Sequence, residues 1–358
     1  MANEIDPMEG ISLNDLRGQF ESGTIQRVVV DEIHNHDDLI SDVKWYPSSK
    51  DDRDETDYVV SKPKARHHMM GEGKLPSGFS TQTKATTPCR SYALLRILKE
   101  RFQREQRKGK AYLNAYLATQ VRMQVSSLAE LMVMDILYGN RKNDPKGMNG
   151  LAAFYNTIGS ITGAPLDYST RTMNAFPSAL SADGATNTSN LRDIFAVTFG
   201  KEAVKPFYPK MSESIGLDFG DKMVEVPDKD PKNGGTIWYL EREFNWEGGI
   251  NIVNPTKAGR LVNLPLDKMA TATGYAEELL QKLIRFTDLI KANKNQGEKT
   301  ILYMDPMLWT EIKILLASLK WQNAFKDEDI DSVHKMELFG REVRTNESQA
   351  FAQSYIAP

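Results

Sequence analysis

The longest regular run of apolar positions lies in the first half of the chain. Leu113, Leu117, Val121, Val125, Leu128, Met132 and Ile136 recur at steps of three and four, which places them on one helical face. The spacing predicts a helix from about Lys110 to Tyr138, stopped by Gly139-Asn140 as a C-terminal cap. At ~1.5 Å per residue its ~29 residues span roughly 43 Å, long for a single globular domain. Asn114, Gln120, Arg122, Gln124 and Glu130 on the other faces exclude a membrane helix.

Ahead of this helix the pattern is thin. Residues 1–47 carry a short apolar series (Ile25, Val28, Val29, Val30, Ile33), then Leu39, Ile40 and Trp45-Tyr46-Pro47. That is too little apolar surface to fold alone, so the segment reads as an arm that leans on something else. Residues 48–92 begin acidic and turn basic, with Gly71-Glu72-Gly73 and Pro76-Ser77-Gly78 between and β-branched residues from Ser80 to Thr87. They read as a long hairpin with little core of its own. Tyr92 to Lys108 reads as a basic helical stretch closed by Gly109.

Behind the helix the pattern is mixed α and β. Ile194–Val197, Thr236–Leu240 and Ile250–Val253 are strand candidates, the last following a Gly248-Gly249 turn. Ala276, Leu279, Leu280, Leu283, Ile284 and Ile290 form the apolar face of an amphipathic helix. The strand Ile301–Met304 runs into Asp305-Pro306, an N-cap followed by proline at the first helical position, and that helix carries Leu308, Ile312, Leu315 and Leu319. Phe339–Arg344 is a closing strand. No internal repeat or low-complexity tract is present.

Composition narrows the class. The 358 residues are 40% hydrophobic and 26% charged, the profile of a globular protein. A net charge of −3 argues against a dedicated nucleic-acid binder, though not against a local basic face. Cys89 is the only cysteine, so no intrachain disulfide forms. The N-terminus shows neither a basic leader nor an apolar run, which predicts no signal peptide, and no apolar stretch is long enough to predict a membrane span.

Catalytic and metal-binding patterns are weak. His34-x-His36 beside Asp37 and Asp38, and His67-His68, match no structural zinc spacing. Asp228-Lys229-Asp230-Pro231-Lys232-Asn233-Gly234 resembles a calcium loop but has asparagine where glycine is required and Tyr239 where the bidentate glutamate belongs, so a hairpin turn is the better reading. No nucleophile elbow, phosphate loop or dinucleotide fingerprint occurs. Neither a catalytic site nor a cofactor is expected, and the competing class is a soluble α/β enzyme of unknown substrate.

A family resemblance enters at Leu137-Tyr138-Gly139-Asn140, followed by Asp144-Pro145, Gly150-Leu151 and Tyr155-Asn156. This series resembles the major capsid proteins of certain short-tailed phages, members of the Hong Kong 97 type of capsid fold, in which a long spine helix ends in an aromatic-Gly-Asn turn. Further matches follow in the same order. They are Asn187-Thr188-Ser189, Tyr208-Pro209-Lys210, Gly216-Leu217 with Asp218-Phe219-Gly220, and Phe244-Asn245-Trp246 with Gly249-Ile250. Arg260-Leu261-Val262-Asn263, Tyr303-Met304 and Gly340-Arg341-Glu342-Val343 complete the series, and Asp31 to Trp45 is a weaker match. The resemblance covers most of residues 31–345. Phe154, Met211 and Lys257 depart from it, and residues 60–85 carry no matching motif.

The resemblance implies an α+β fold of the Hong Kong 97-like type and a virion protein that assembles with itself into hexamers and pentamers. It divides the chain into an N-terminal arm (1–47), an extended loop (48–92), a peripheral domain with the spine helix (93–150, helix 110–138) and an axial domain (151–358), with strands around 236–264 returning to the peripheral domain. Scaffolding, portal and decoration proteins and packaged double-stranded DNA are the further partners it suggests, with assembly in the host cytoplasm. On this reading Asp51, Asp52, Asp54, Lys62, Lys64 and Arg66 pair within the hairpin or face the opposite sign on a neighbouring subunit. Arg101, Arg104, Arg107 and Lys108 form either a solvated face or a surface that neutralises phosphates without reading sequence.

Overall fold

The protein is described from a computed structural model. It covers residues 11–12, 25–61, 65–67, 78, 80–158, 169–176, 190–212, 216–227, 235–269, 275–290, 299–319, 325–330 and 333–356. The first third of the chain holds β1 (Ile11–Ser12), α1 (Ile25–His36), α2 (Asp38–Asp42), β2 (Lys44–Pro47), β3 (Asp54–Ser61), β4 (Ser80–Thr86) and β5 (Cys89–Leu98). Next come α3 (Lys99–Arg107), α4 (Lys110–Tyr138), α5 (Leu151–Phe154), β6 (Thr172–Asn174), β7 (Leu191–Thr198), β8 (Val204–Tyr208) and β9 (Leu217–Pro227). The last third holds β10 (Thr236–Ile252), β11 (Ala258–Pro265), α6 (Tyr275–Leu289), β12 (Thr300–Met304), α7 (Pro306–Ser318), β13 (Phe325–Ile330), β14 (Val333–Leu338) and β15 (Arg341–Thr345).

Two compact units emerge, each assembled from three separate pieces of chain. The first comprises Met1–Pro47, Pro88–Leu151 and Pro206–Gly249. Its axis is α4, which runs from Lys110 to Tyr138. Of the seven apolar positions that define its periodicity, Leu117 is half-buried and the other six are buried. Ala129, Val133 and Leu137 are buried as well, which widens the apolar arc beyond one face. The reason is that α4 is covered twice, by α1 and by β5. The segment read as an arm that leans on something else carries a helix of 12 residues, α1, and leans on α4, with Val29, Val30 and Ile33 fully buried. Its last residue, His36, places Nδ1 3.3 Å from the Ser126 hydroxyl of α4.

The helix ends at the expected cap, Gly139, whose amide donates to the Asp135 carbonyl, but the glycine serves there for another reason. Gly139 sits at φ −49, outside the left-handed region, so conformational freedom is not what it provides. Space is. A Cβ at Gly139 would lie 2.5 Å from the Asp135 carbonyl oxygen and 2.6 Å from that of Met148, and one at Gly150 would strike the same Asp135 oxygen. The Gly150 amide donates to the Gly139 carbonyl at 2.8 Å, closing residues 140–149 into a compact loop. Inside it the Arg141 amide donates to Asn149 Oδ1 and the Arg141 guanidinium to the Gly147 carbonyl, each at 3.0 Å.

The sheet of this unit runs β1-β2-β8-β10-β5, with β9 also paired to β10. The sequence pattern predicts two strands from 236 to 253; the chain makes one, the 17-residue β10. Gly248-Gly249 lies inside it and not at a turn. A Cβ at Gly248 would stand 2.6 Å from the Trp246 ring, and one at Gly249 would stand 2.7 Å from the Phe207 ring, so the pair makes room for aromatic packing. Trp246 in turn meets Trp45 edge to face at 5.6 Å.

The second unit comprises Ser48–Thr87, Ala152–Lys205 and Ile250–Pro358. Its seven-stranded sheet has the order β13-β14-β15-β12-β7-β11-β6. Every residue of β7, β11 and β12 is buried, the continuous burial of strands covered on both faces. Ile194, Ala196, Leu261, Leu302 and Met304 share one apolar cluster with Leu279, Leu283 and Phe286 of α6 and Leu308, Ile312 and Leu315 of α7. The Asp305-Pro306 start of α7 is as expected, with Asp305 Oδ1 accepting from the Met307 amide at 3.0 Å.

Charges are buried here too. Arg192 donates to Asp305 at 2.7 Å and Arg260 to Asp193 at 2.7 Å. Burial raises the pKa of the Asp193 carboxyl, and the Arg260 guanidinium opposes that shift. Near the C-terminus, Phe339 and Gly340 both have positive φ, 49° and 72°, so they form the turn between β14 and β15, and the expected strand at 339–344 starts only at Arg341.

Candidate assembly surfaces

Among its described side chains the two-stranded β3–β4 ribbon buries little, and its root explains how it is held. Expected to span residues 48–92, the paired strands reach only from Asp54 to Ser61 and from Ser80 to Thr86. Cys89 onward belongs instead to β5, which pairs with β10 along its whole length. At the root Asp54 is fully buried. Its carboxylate accepts from Lys205 Nζ at 2.7 Å, from Asn251 Nδ2 at 2.8 Å and from the Ser49 amide at 3.0 Å. The Asn251 amide also donates to Thr56 Oγ1 at 2.7 Å. On the other strand, Lys84 Nζ stands 4.3 Å from the centre of the Phe154 ring, and burial lowers its pKa to about 8.

This root takes Asp54 out of the set of expected subunit contacts. A carboxylate removed from solvent and satisfied within its own unit has nothing left to offer a neighbour. Asp51 and Asp52 are exposed, Asp52 with Arg53 Nη1 at 3.5 Å. Arg66 is exposed; Lys62 and Lys64 lie outside the described residues, as does the 228–234 segment. Lys205 and Asn251 are the residues of this root that the sequence did not single out. Lys205 and Asn251 stand far from Asp54 along the chain, and no local pattern marks them.

The second surface is α3. The basic stretch expected to be helical from Tyr92 divides at Leu98: Arg96 belongs to β5 and pairs with Glu241 of β10 at 2.6 Å. Strand geometry wins there because Leu95 and Ile97 alternate into the core with Arg96 facing outward. From Lys99 the chain is helical, and no residue of α3 is buried. Arg101, Arg104 and Arg107 are exposed along it. Lys108, just past its end, is exposed too and holds Glu105 at 2.8 Å. Arg101 stands 5.2 Å from the Tyr116 ring.

Among the described residues no group of three or more His, Cys, Asp or Glu side chains is placed to hold a metal ion, and no helix is long and apolar enough to cross a membrane. His67 is exposed, and Cys89 is a buried free thiol whose pKa burial pushes up to about 12.

No curated protein sequence matches the chain. A capsid structure of bacteriophage epsilon15 matches at a TM-score of 0.56 and 12% identity, over 89% of this chain and 87% of that one, which shows a shared fold. The capsid of bacteriophage JBD30 matches at a TM-score of 0.48 and 11% identity, over 88% of this chain and 90% of that one. The family model described as Major capsid protein GP7 matches residues 21–351, nearly the whole sequence. The chain belongs to the Major capsid protein GP7 family, with the Hong Kong 97-like α+β fold, and is a structural protein of the phage capsid.

Proposed function

We propose that this chain closes an icosahedral phage head from hexamers and pentamers of itself, around double-stranded DNA, and catalyses no reaction. The observation that carries the reading is the family match over residues 21–351, joined to a β3–β4 ribbon that pairs only with itself among the described residues. Ring contacts of this kind are heterologous, one patch meeting a different patch on the next copy. The unit built on α4 takes the peripheral place and the unit built on the seven-stranded sheet the axial one. Exposed Asp51, Asp52 and Arg66, with Lys62 and Lys64, set register against neighbours. Arg101, Arg104, Arg107 and Lys108 face packaged DNA and neutralise phosphates without reading sequence. Scaffolding, portal and decoration proteins are further partners, and assembly takes place in the host cytoplasm.

The test is sedimentation and electron microscopy of the protein expressed alone and with candidate scaffold. Shells, tubes or capsomer-sized rings are expected. A small, stable oligomer under every condition would overturn the reading that the chain closes a shell of itself.

A further inference from the structure

The root of the β3–β4 ribbon contains more polarity than the ribbon needs in order to fold. A β-hairpin is held by its cross-strand pairs, and these run from Asp54↔Thr86 to Ser61↔Ser80 without help from elsewhere. Yet its first residue is a fully buried carboxylate, met by a lysine with a side chain 12% exposed and by a fully buried asparagine. A buried ion pair adds little to stability, because desolvating both charges offsets their attraction. What it supplies is directional: Asp54 satisfied by three donors from three different places tolerates one orientation of the strand and penalises the rest.

The donors come from separate segments of the second unit. Ser49 lies in the turn before the ribbon, Lys205 in β8, and Asn251 near the end of β10. Asn251 extends the restraint by one more residue, since its amide reaches Thr56 as well as Asp54. Asp54 and Thr56 are two apart on one strand and so share a face, and both are tied to the same amide. A strand held at two successive same-face positions is restrained in direction, not only in place. Phe154 under Lys84 restrains the partner strand. Beyond these points the ribbon has no third strand among the described residues.

We infer that Asp54, Lys205 and Asn251 are positioning residues for assembly: they set the angle at which the ribbon leaves the second unit and so which neighbouring surface it reaches. The inference rests on the assembly reading above. It separates two properties that a merely structural cluster would keep together, the stability of the subunit and the direction of its ribbon.

The test uses the full-length chain. Spin labels at Thr81→Cys on the ribbon and Glu277→Cys on α6 report the distance between ribbon and body in the free subunit; the native thiol, Cys89, is buried. The Asp54→Asn, Lys205→Met double variant removes both charges together; the new amide oxygen accepts from Ser49, and its NH2 donates to Asn251 Oδ1 once the Asn251 amide turns over. Its thermal midpoint is expected to stay within a few degrees of the parent. Its label-to-label distance distribution is expected to broaden at least twofold, and its yield of closed shells to fall at least tenfold, with misshapen particles in their place. Lys205→Arg, which retains the charge, is expected to recover shells in part. Should the double variant not fold, Thr56→Val removes only the oxygen that Asn251 reaches, and a smaller broadening in the same direction is expected.

An unchanged distance distribution in the folded variant overturns the inference. So does a broadened one that leaves shell yield and diameter as they were. If the parent chain itself makes no shells, it is the assembly reading that fails, and the two failures are told apart by that control.

Discussion

Two consecutive helices of the first unit, α3 and α4, are divided only by Lys108 and Gly109, and they are opposites. α4 is buried on two sides and forms the apolar centre of its unit; no residue of α3 is fully buried. Gly109 between them stands at φ 122, a conformation open to glycine and strained for other residues, so the chain changes direction there and each helix takes its own course. A helix of nine residues is marginal in water by itself. α3 persists because β5 leads into it, α4 follows it, and the amides of Lys108 and Gly109 close its last turn on the carbonyls of Glu105 and Gln106. The lesson is one of allocation: α4 specifies the subunit, and α3 presents charge at a surface that folding leaves free.

The strongest way to break the contrast is Leu128→Asp on α4. Leu128 is 2% exposed, so the substitution leaves a carboxylate without a partner in the core. The penalty is several kcal/mol against a total stability of about 5–15 kcal/mol. Soluble expression is expected to disappear. A folded, soluble Leu128→Asp subunit, by circular dichroism and gel filtration, would show that this face is an exposed interface.

A smaller effect is expected at the end of the same helix. Burial raises the Asp135 carboxyl from 3.8 to about 6, and nearby Asp144 adds to the shift. An acid whose pKa is higher in the folded state holds its proton better when folded, so folding is favoured at low pH and loses stability as pH rises through the window from 3.8 to about 6. At pH 7.5 the whole penalty applies. Asp135→Asn removes it, and after discounting for partial exposure a gain of about 1 kcal/mol is expected. Thermal melts should show the gain shrinking as pH is lowered towards 4. A gain of equal size at both ends of the range would assign it to packing instead.

The smallest effect on folding, and the sharpest on function, is expected from Arg101→Glu with Arg104→Glu and Arg107→Glu. Exposed substitutions of this kind change stability by about 0.5 kcal/mol or less each. Binding to duplex DNA should weaken, and the slope of log affinity against log salt should fall by about 0.9 for each phosphate that is no longer neutralised. Fluorescence anisotropy across a salt series reads both quantities. An unchanged slope would make α3 a solvated surface and nothing more.

How far the sequence reached follows the range of the forces involved. The boundaries of α4 and the Asp305-Pro306 start of α7 were legible because each rests on interactions within a few residues. Errors arose where a local signal met a distant one. Gly248-Gly249 has the composition of a turn, yet the Trp246 and Phe207 rings occupy the space those glycines leave open. Tyr92–Leu98 is compatible with a helix, yet pairing with β10 made it a strand.

The order of motifs from Tyr138 to Val343 was enough to suggest the family, which the match over residues 21–351 shows. Helical periodicity likewise determined α4 without knowledge of what covers it. What the tertiary structure alone decided is which charges are available. Asp51, Asp52 and Asp54 are chemically alike and close together in sequence, yet Asp54 is sealed against Lys205 and Asn251, 151 and 197 residues away along the chain. Burial is a property of the folded chain as a whole, and no pattern confined to neighbouring residues encodes it.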